Sequence, residues 1–106
     1  MGSEKKASSL AYEQLVAELH EQHPDLQAGS LFGMPCLKSD RKAVLGSYDS
    51  GVVFKLSGQA HADALDLDGS VLFDPSEKGR PMKAWVVVPD AHRSAWSRFA
   101  AAAIDG

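Results

Sequence analysis

The histidines are the first side chains in this chain that suggest chemistry. His20 and His23 form an H-x-x-H pair near the end of a predicted helix, and two imidazoles at i, i+3 can share a metal ion. Pro24 disfavours helical geometry at His23, however, and no cysteine or third histidine stands nearby in the sequence. His61 and His92 fall on other predicted helices. We therefore interpret all four as surface histidines near helix ends and predict no metal and no cofactor.

Cys36 is the single cysteine and the candidate nucleophile. A nucleophilic thiol needs a neighbouring base and a lowered pKa. Lys38 stands two residues along the same predicted strand, so the two side chains can share a strand face. Free cysteine is among the most buried residue types, and we predict that Cys36 is a small packing residue. A single cysteine also excludes an internal disulfide, which fits a reducing compartment.

Aspartates cluster around the second predicted helix at positions 63, 66 and 68, with another at position 74. Paired acids can transfer protons or hold Mg²⁺. The spacing matches no metal-binding loop, because "DLDG" at 66–69 lacks the later glutamate of a calcium loop. The chain also has no G-x-x-x-x-G-K-[ST], G-x-G-x-x-G, G-x-S-x-G or H-E-x-x-H motif. We therefore predict a protein that is not an enzyme, with these acids on a solvated helix face and turn.

The stretch "PSEKGRPMK", residues 75–83, is the strongest candidate for a binding loop. Nine residues between two predicted strands exceed the usual hairpin connection of about 2–5. Arg80 and Lys83 supply charge for a carboxylate or a phosphate, and Met82 offers an adaptable apolar contact. Lys38 and Lys55 extend this basic side if their strand faces match. The predicted partner-binding residues are Arg80, Met82, Lys83, Lys38 and Lys55.

The overall charge bounds the kind of partner. The net charge is −3, from 11 Lys and Arg against 14 Asp and Glu. Proteins that bind nucleic acid without sequence preference usually show a basic excess, so the charge disfavours DNA as the partner. No apolar run approaches the roughly 20 residues that span a bilayer, and no apolar segment of a signal peptide follows the N-terminus. We expect a cytoplasmic protein without a membrane partner.

The hydrophobic periodicity predicts the elements that position these residues. Tyr12, Leu15, Val16 and Leu19 form the apolar stripe of a first helix, capped by Ser8 or Ser9 and ending near Gln22. Three short runs rich in β-formers follow at 30–38, 42–49 and 51–57, separated by turn residues. Connections this short predict an antiparallel meander. Pro35 lacks an N–H and indicates an edge strand or a bulge in the first run.

The second half repeats the alternation of helix and strand. A short helix is predicted over 58–69, a fourth strand over 70–74 and a fifth over 84–88, apolar on both faces and therefore central or covered twice. Asp90 is expected to cap the last helix, with Trp96 and Phe99 on its apolar stripe. The order αβββαββα predicts an α+β fold with a single antiparallel five-stranded sheet flanked by helices. Residues 1–8 are expected to be a disordered lead and residues 9–106 the domain.

Several short motifs together resemble a known family. Phe32-Gly33 enters the first predicted strand, Lys55 falls late in the third, and Pro81-Met82 with Trp85 and Pro89 surround the last. In this order they resemble the N-terminal domain family of TfoX/Sxy, the bacterial competence regulators, and the related YjbR/MmcQ group, over about residues 10–104. The resemblance implies a secretion-chaperone-like α+β fold. It also implies a non-enzymatic protein-interaction module that co-regulates transcription, with a protein of the transcription machinery as partner.

Three functions stay open at this point. The first is the interaction module, in which the loop at 75–83 meets an acidic protein. The second is a DNA-binding domain of the YjbR type, with a local basic patch of Arg80, Lys83, Arg93 and Arg98. The third is an enzyme or a small-ligand carrier that uses Cys36 or a pocket between the sheet and the helices.

Overall fold

The fold is known from a computed structural model that describes residues 6–31, 34–48, 51–74 and 82–105. Within these residues the chain forms three α-helices, a 3₁₀ segment and one six-stranded antiparallel sheet. The coarse α+β prediction, with an antiparallel sheet and helices, is therefore confirmed. None of the described helices has the length and the apolar composition needed to cross a membrane.

The first helix, α1, spans Lys6–Gln22 and ends where the sequence predicts. His23 closes its last turn, with its N–H donating to the Leu19 carbonyl. The predicted cap is wrong, because α1 begins at Lys6 and Ser8 and Ser9 lie inside it. Residues 1–5 of the predicted lead lie outside the described residues. The predicted apolar stripe of α1 faces the core, since Tyr12, Leu15 and Leu19 are buried.

Six strands, one more than predicted, make up the sheet. Their order across the sheet is β1-β2-β3-β4-β6-β5. The strands are β1 Gln27–Leu31, β2 Met34–Ser39, β3 Lys42–Tyr48, β4 Gly51–Lys55, β5 Val71–Phe73 and β6 Met82–Pro89. The predicted five-stranded sheet and the predicted order αβββαββα are wrong. The run at 30–38, predicted as one strand, contains the end of β1 and most of β2. Leu31 of β1 stands opposite Met34 of β2, and a two-residue connection hardly changes the composition of the run.

Pro35 does not mark an edge, contrary to its sequence interpretation. β2 lies between β1 and β3, and the two edges are β1 and β5. Pro35 is opposite Ser30 of β1, whereas the ladder with β3 begins one residue later, at Cys36. Proline is tolerated in an interior strand where no ladder hydrogen bond needs its N–H. An irregularity does occur in β2, but it lies between Leu37 and Lys38.

All three helices pack on one face of the sheet, which we call the helix face. α2 spans Gly58–Asp66 and α3 spans Trp96–Asp105. The expectation that Asp90 caps the last helix is wrong, since α3 begins at Trp96 and Asp90–Ala95 is a 3₁₀ segment with a break at His92. The helix-face core includes Leu15, Leu45, Phe54, Val86, Val88, Trp96 and Phe99.

The other face, which we call the second face, has a smaller core, and its described members all lie on strands. Val53, Phe73, Trp85 and Val87 are buried there. The ring of Tyr48 meets that of Phe73 edge-on, with centroids 5.2 Å apart, although these residues belong to β3 and β5. Val86 and Val88 of β6 belong to the helix-face core, and Trp85 and Val87 belong to the second-face core. β6 is therefore buried on both faces, as its apolar run predicts.

Candidate binding surface

The topology brings several cations to one end of the sheet. β2 ends at Ser39 and β3 begins at Lys42, so their turn lies at this end. β4 runs antiparallel to β3 and ends here at Lys55, and Lys55 stands opposite Trp85, near the start of β6. We call this region the basic end. Its cations are Lys38, Arg41, Lys42, Lys55 and Lys83.

The cations of the basic end are available to a partner. Arg41, Lys42, Lys55 and Lys83 are exposed, and Lys38 is half-buried. Among the described residues, an ion pair joins Asp90 and Arg93, which lie away from the basic end. None of the five basic-end cations pairs with a described carboxylate within 4.0 Å. The basic end therefore presents five cations that make no ion pair with a described carboxylate, although Asp40 in the β2–β3 turn and Asp74 after β5 lie at the same end of the sheet.

Helix α2 adds to the positive charge of this end. It starts two residues after Leu56, so its N-terminus lies beside the end of β4. It has no acidic residue in its first turn, and Ser57 makes no side-chain cap. The positive end of the helix dipole therefore stays uncompensated. His61 Nε2 fixes the helix here by donating to the carbonyl of Lys83, at 2.6 Å.

The sequence-predicted binding residues have different positions relative to this end. Lys55 and Lys83 are exposed members of it, and Lys38 lies on the same face as Lys55. Met82 is half-buried and packs against the second-face core. Arg80 lies outside the described residues, as do the other residues of 75–81.

Two members of the basic end were not predicted as binding residues. Arg41 lies in the turn between β2 and β3, and Lys42 begins β3. The sequence held a signal for both, because the separator "SDR" at 39–41 marks a turn and turns lie at sheet ends. Assigning them to the same end as Lys55 additionally requires the strand pairing.

The structure separates Lys83 from Arg93 and Arg98, the described members of the predicted DNA patch, and Arg80 lies outside the described residues. Lys83 is near the start of β6, whereas Arg93 follows its end. The strand between them rises roughly 20 Å at about 3.3 Å per residue. Arg93 Nη1 lies 3.9 Å from Asp90 Oδ2, and Arg98 Cζ lies 4.7 Å from the ring centre of Phe99. Arg93 and Arg98 therefore do not extend the basic end.

Cys36 has the surroundings of a packing residue. It is 1% exposed and stands opposite Gly46 in the middle of the sheet. Burial raises the pKa of the Cys36 thiol, and the nearby Lys38 ammonium opposes this only in part. The expected proximity of Lys38 is thus confirmed. It does not produce the lowered pKa that a nucleophilic thiol needs.

The side chains of His20 and His92 form hydrogen bonds to backbone carbonyls of other segments of the chain. His20 Nε2 lies 3.0 Å from the Leu26 carbonyl oxygen, and His92 Nε2 lies 2.7 Å from that of Asp68. Asp63 accepts a hydrogen bond from Gln59 Nε2 at 2.8 Å. No group of three or more His, Cys, Asp or Glu side chains gathers in the described part of the chain.

A cleft of about 270 Å³ opens between α1, the 3₁₀ segment and α3. Leu15 and Trp96 line it together with the polar Glu18, Arg93 and Ser97. Ser97 Oγ donates to Glu18 Oε1 at 3.2 Å, and the indole N–H of Trp96 donates to the Val88 carbonyl at 3.2 Å. Glu18, Arg93 and Ser97 already have partners within the protein, and the remaining polar side chains of the lining are the uncharged Gln14 and Ser94.

Comparison with known proteins adds no relative. No family model matches the chain, and neither a curated protein nor a solved structure matches it.

Proposed function

We propose that this chain is a non-enzymatic interaction module that binds an acidic protein segment at the basic end of its sheet. The role is cytoplasmic and linked to transcription, as the resemblance to the TfoX/Sxy N-terminal and YjbR/MmcQ families implies. The secretion-chaperone-like classification of the fold belongs to the same proposal.

The clustering of unpaired cations supports this proposal most directly. Five of the 11 Lys and Arg residues lie at one end of the sheet in a protein whose net charge is −3. Strands β2, β3, β4 and β6 lie side by side at a spacing of about 4.8 Å, so one acidic segment lying across their ends can meet several of these cations. A segment rich in Asp and Glu gains charge-assisted hydrogen bonds there.

A protein partner is favoured over DNA by the shape of the charged region. Binding to duplex DNA uses many phosphate contacts along a basic track, but Arg93 and Arg98 lie away from the basic end. The negative charge of the rest of the molecule also repels a long polyanion more than a short acidic segment. DNA binding is therefore the alternative that the experiment must separate.

The test is a pull-down from lysate of the native cell, with and without nuclease, using two charge-matched variants. The test variant carries Lys55→Glu and Lys83→Glu at the basic end. The control variant carries Arg93→Glu and Arg98→Glu, which change the net charge by the same amount elsewhere. Circular dichroism establishes that both variants are folded.

We expect a protein partner that survives nuclease treatment, is lost with the test variant and is kept with the control. Capture that disappears on nuclease treatment assigns the basic end to nucleic acid and overturns the proposal. Equal capture by both variants also contradicts it, because the binding then does not depend on the basic end.

A further inference from the structure

No described strand pairs with the outer side of β1, the first edge of the sheet. β1 lies outermost in the strand order and pairs on its inner side with β2. All five of its residues, from Gln27 to Leu31, are in register with β2 without a bulge. The outward backbone N–H and C=O groups of such a strand are ready to pair with another chain.

The residues of β1 itself lack the features by which proteins usually protect an edge, and the charge at this edge comes from Lys38 of β2. The sequence of β1, "QAGSL", has no charge and no proline, whereas protected edges carry Lys, Pro or a bulge, or are very short. The opposite edge is protected in this way, because β5 has three residues and its pairing with β6 is irregular between Leu72 and Phe73. Gln27, Ala28 and Ser30 are exposed.

A single positive charge lies over this edge. Gly29 has no side chain, and the stem of Lys38, from the neighbouring strand, occupies the space above it. A Cβ atom at Gly29 would lie 2.7 Å from Cε and 3.3 Å from Nζ of Lys38. The ammonium group therefore stands over the outermost strand, without a carboxylate partner among the described residues.

The position of Lys38 decides which occupant fits. A second copy of this chain, paired β1 to β1, would bring two Lys38 ammonium groups over the same edge, and like charges placed opposite each other are destabilising. A peptide strand added about 4.8 Å beyond β1 brings a side chain of its own face beside Gly29. A Glu or Asp at that position reaches the Lys38 ammonium.

We propose that the β1 edge binds the partner by β-strand addition, with an acidic residue of the added strand opposite Gly29 and paired with Lys38. Backbone hydrogen bonds supply the affinity in this mode, and the side chains supply the selectivity. The inference rests on the proposed function, because it takes the partner to be acidic, and it adds the place and the conformation of the bound segment.

The test uses a defined peptide, acetyl-Thr-Val-Thr-Glu-Thr-Val-Thr-amide, with a fluorescent label for anisotropy. One counterpart has Lys in place of the central Glu, and a second has N-methyl groups on alternate backbone nitrogens, which remove donors without changing the charge. The protein variants are Lys38→Met and, as a matched control, Arg93→Met, which removes one charge from an exposed side chain outside the basic end. Amide hydrogen exchange of residues 27–31 reports the strand itself.

We expect the Glu peptide to bind and to slow exchange of the outward β1 amides. Lys38→Met weakens its affinity about fivefold, the range of one partly exposed ion pair, whereas Arg93→Met leaves it within about twofold. The N-methylated peptide and the Lys peptide bind much more weakly.

Equal binding of the N-methylated peptide, or no protection of the β1 amides, overturns strand addition. Absence of any binding overturns it as well. These results are separate from the proposed function, whose failure is read from the pull-down with the Lys55→Glu and Lys83→Glu variant. A partner that depends on the basic end, together with a β1 edge that stays unprotected, refutes only the strand-addition inference.

Discussion

At the scale of single residues, Gly51 is a position without room for a side chain. A Cβ atom there would overlap the carbonyl oxygen of Val88 and lie 2.9 Å from Pro89 Cα. Gly51→Ala is therefore expected to lower the free energy of unfolding by about 2–3 kcal/mol, in the range of overpacked sites. Urea denaturation measures the change.

The matched control for Gly51 is Gly29, a second glycine in a strand. A Cβ atom at Gly29 meets only the flexible end of the Lys38 side chain, which can move aside. Gly29→Ala is expected to change the free energy of unfolding by less than about 1 kcal/mol. Equal losses in the two variants would show that the backbone contact at Gly51 is not the cause.

Tyr12 gives the protein a dependence of stability on alkaline pH. Burial, with a smaller contribution from Cys36, raises the pKa of the Tyr12 phenol above its usual value of 10.0. The folded state then holds this proton more tightly than the unfolded state. Its contribution to stability is present below about pH 10 and falls as the pH rises above it.

Tyr12→Phe should remove this loss of stability. Urea denaturation at a series of pH values from 7 to about 11 compares the variant with the wild type. We expect the free energy of unfolding of the wild type to fall more steeply above pH 10, and phenolate absorbance to show one tyrosine resisting ionisation in the native state. Parallel curves for the two proteins would contradict the assignment to Tyr12.

At the scale of elements, the turn between β2 and β3 carries backbone strain. Asp40 and Arg41 have φ angles of 54° and 71°, the left-handed pair of a two-residue type I′ hairpin turn. Glycine adopts the second position at lower cost than arginine. Arg41→Gly is expected to raise the free energy of unfolding by about 1 kcal/mol, measured by thermal denaturation. Arg41→Ala removes the same charge but keeps a side chain at the positive φ angle. A similar increase in the free energy of unfolding for that variant would refute the explanation.

Trp96 joins α3 to the sheet through both its ring and its N–H. Its side chain is 2% exposed, which confirms its predicted place in the core, and its indole donates to the Val88 carbonyl. Trp96→Ala is expected to cost about 3–5 kcal/mol by leaving a cavity. Trp96→Phe keeps most of the ring but removes the indole hydrogen bond to the Val88 carbonyl, for about 1 kcal/mol.

Trp85 is the control for that comparison. It is buried on the second face, at 7% exposure, and its indole has no hydrogen-bond partner among the described residues. Trp85→Phe therefore loses packing alone. A loss as large as that of Trp96→Phe, in urea denaturation followed by circular dichroism, would mean that the indole hydrogen bond contributes nothing measurable.

At the scale of the whole molecule, Cys36 reports on global opening. It lies in an interior strand of a sheet with core side chains on both faces, and burial raises its pKa. We expect a thiol reagent to label it slowly in the native protein. The labelling rate should rise with urea in step with the unfolding transition. Fast labelling that is independent of urea would instead indicate local exposure of β2.

Local chemistry in the sequence determined a large part of this fold. Pro24 ends α1 because the residue before a proline is driven out of helical geometry. The uninterrupted apolar run at 84–88 predicts burial on both faces of a strand, and Trp85 to Val88 are buried. Period and turn residues also predicted β3, β4 and α2, since these signals act between residues that are close in the chain.

Long-range pairing was decided only in the tertiary structure. The division of the run at 30–38 into β1 and β2, and the placement of β6 between β4 and β5, depend on which backbone groups satisfy each other across the sheet. The same pairing assembles the basic end from residues as distant as Lys38 and Lys83, and it separates Arg93 from them. Local patterns carry no information on such distances, because each strand fits several orders equally well until its faces are packed.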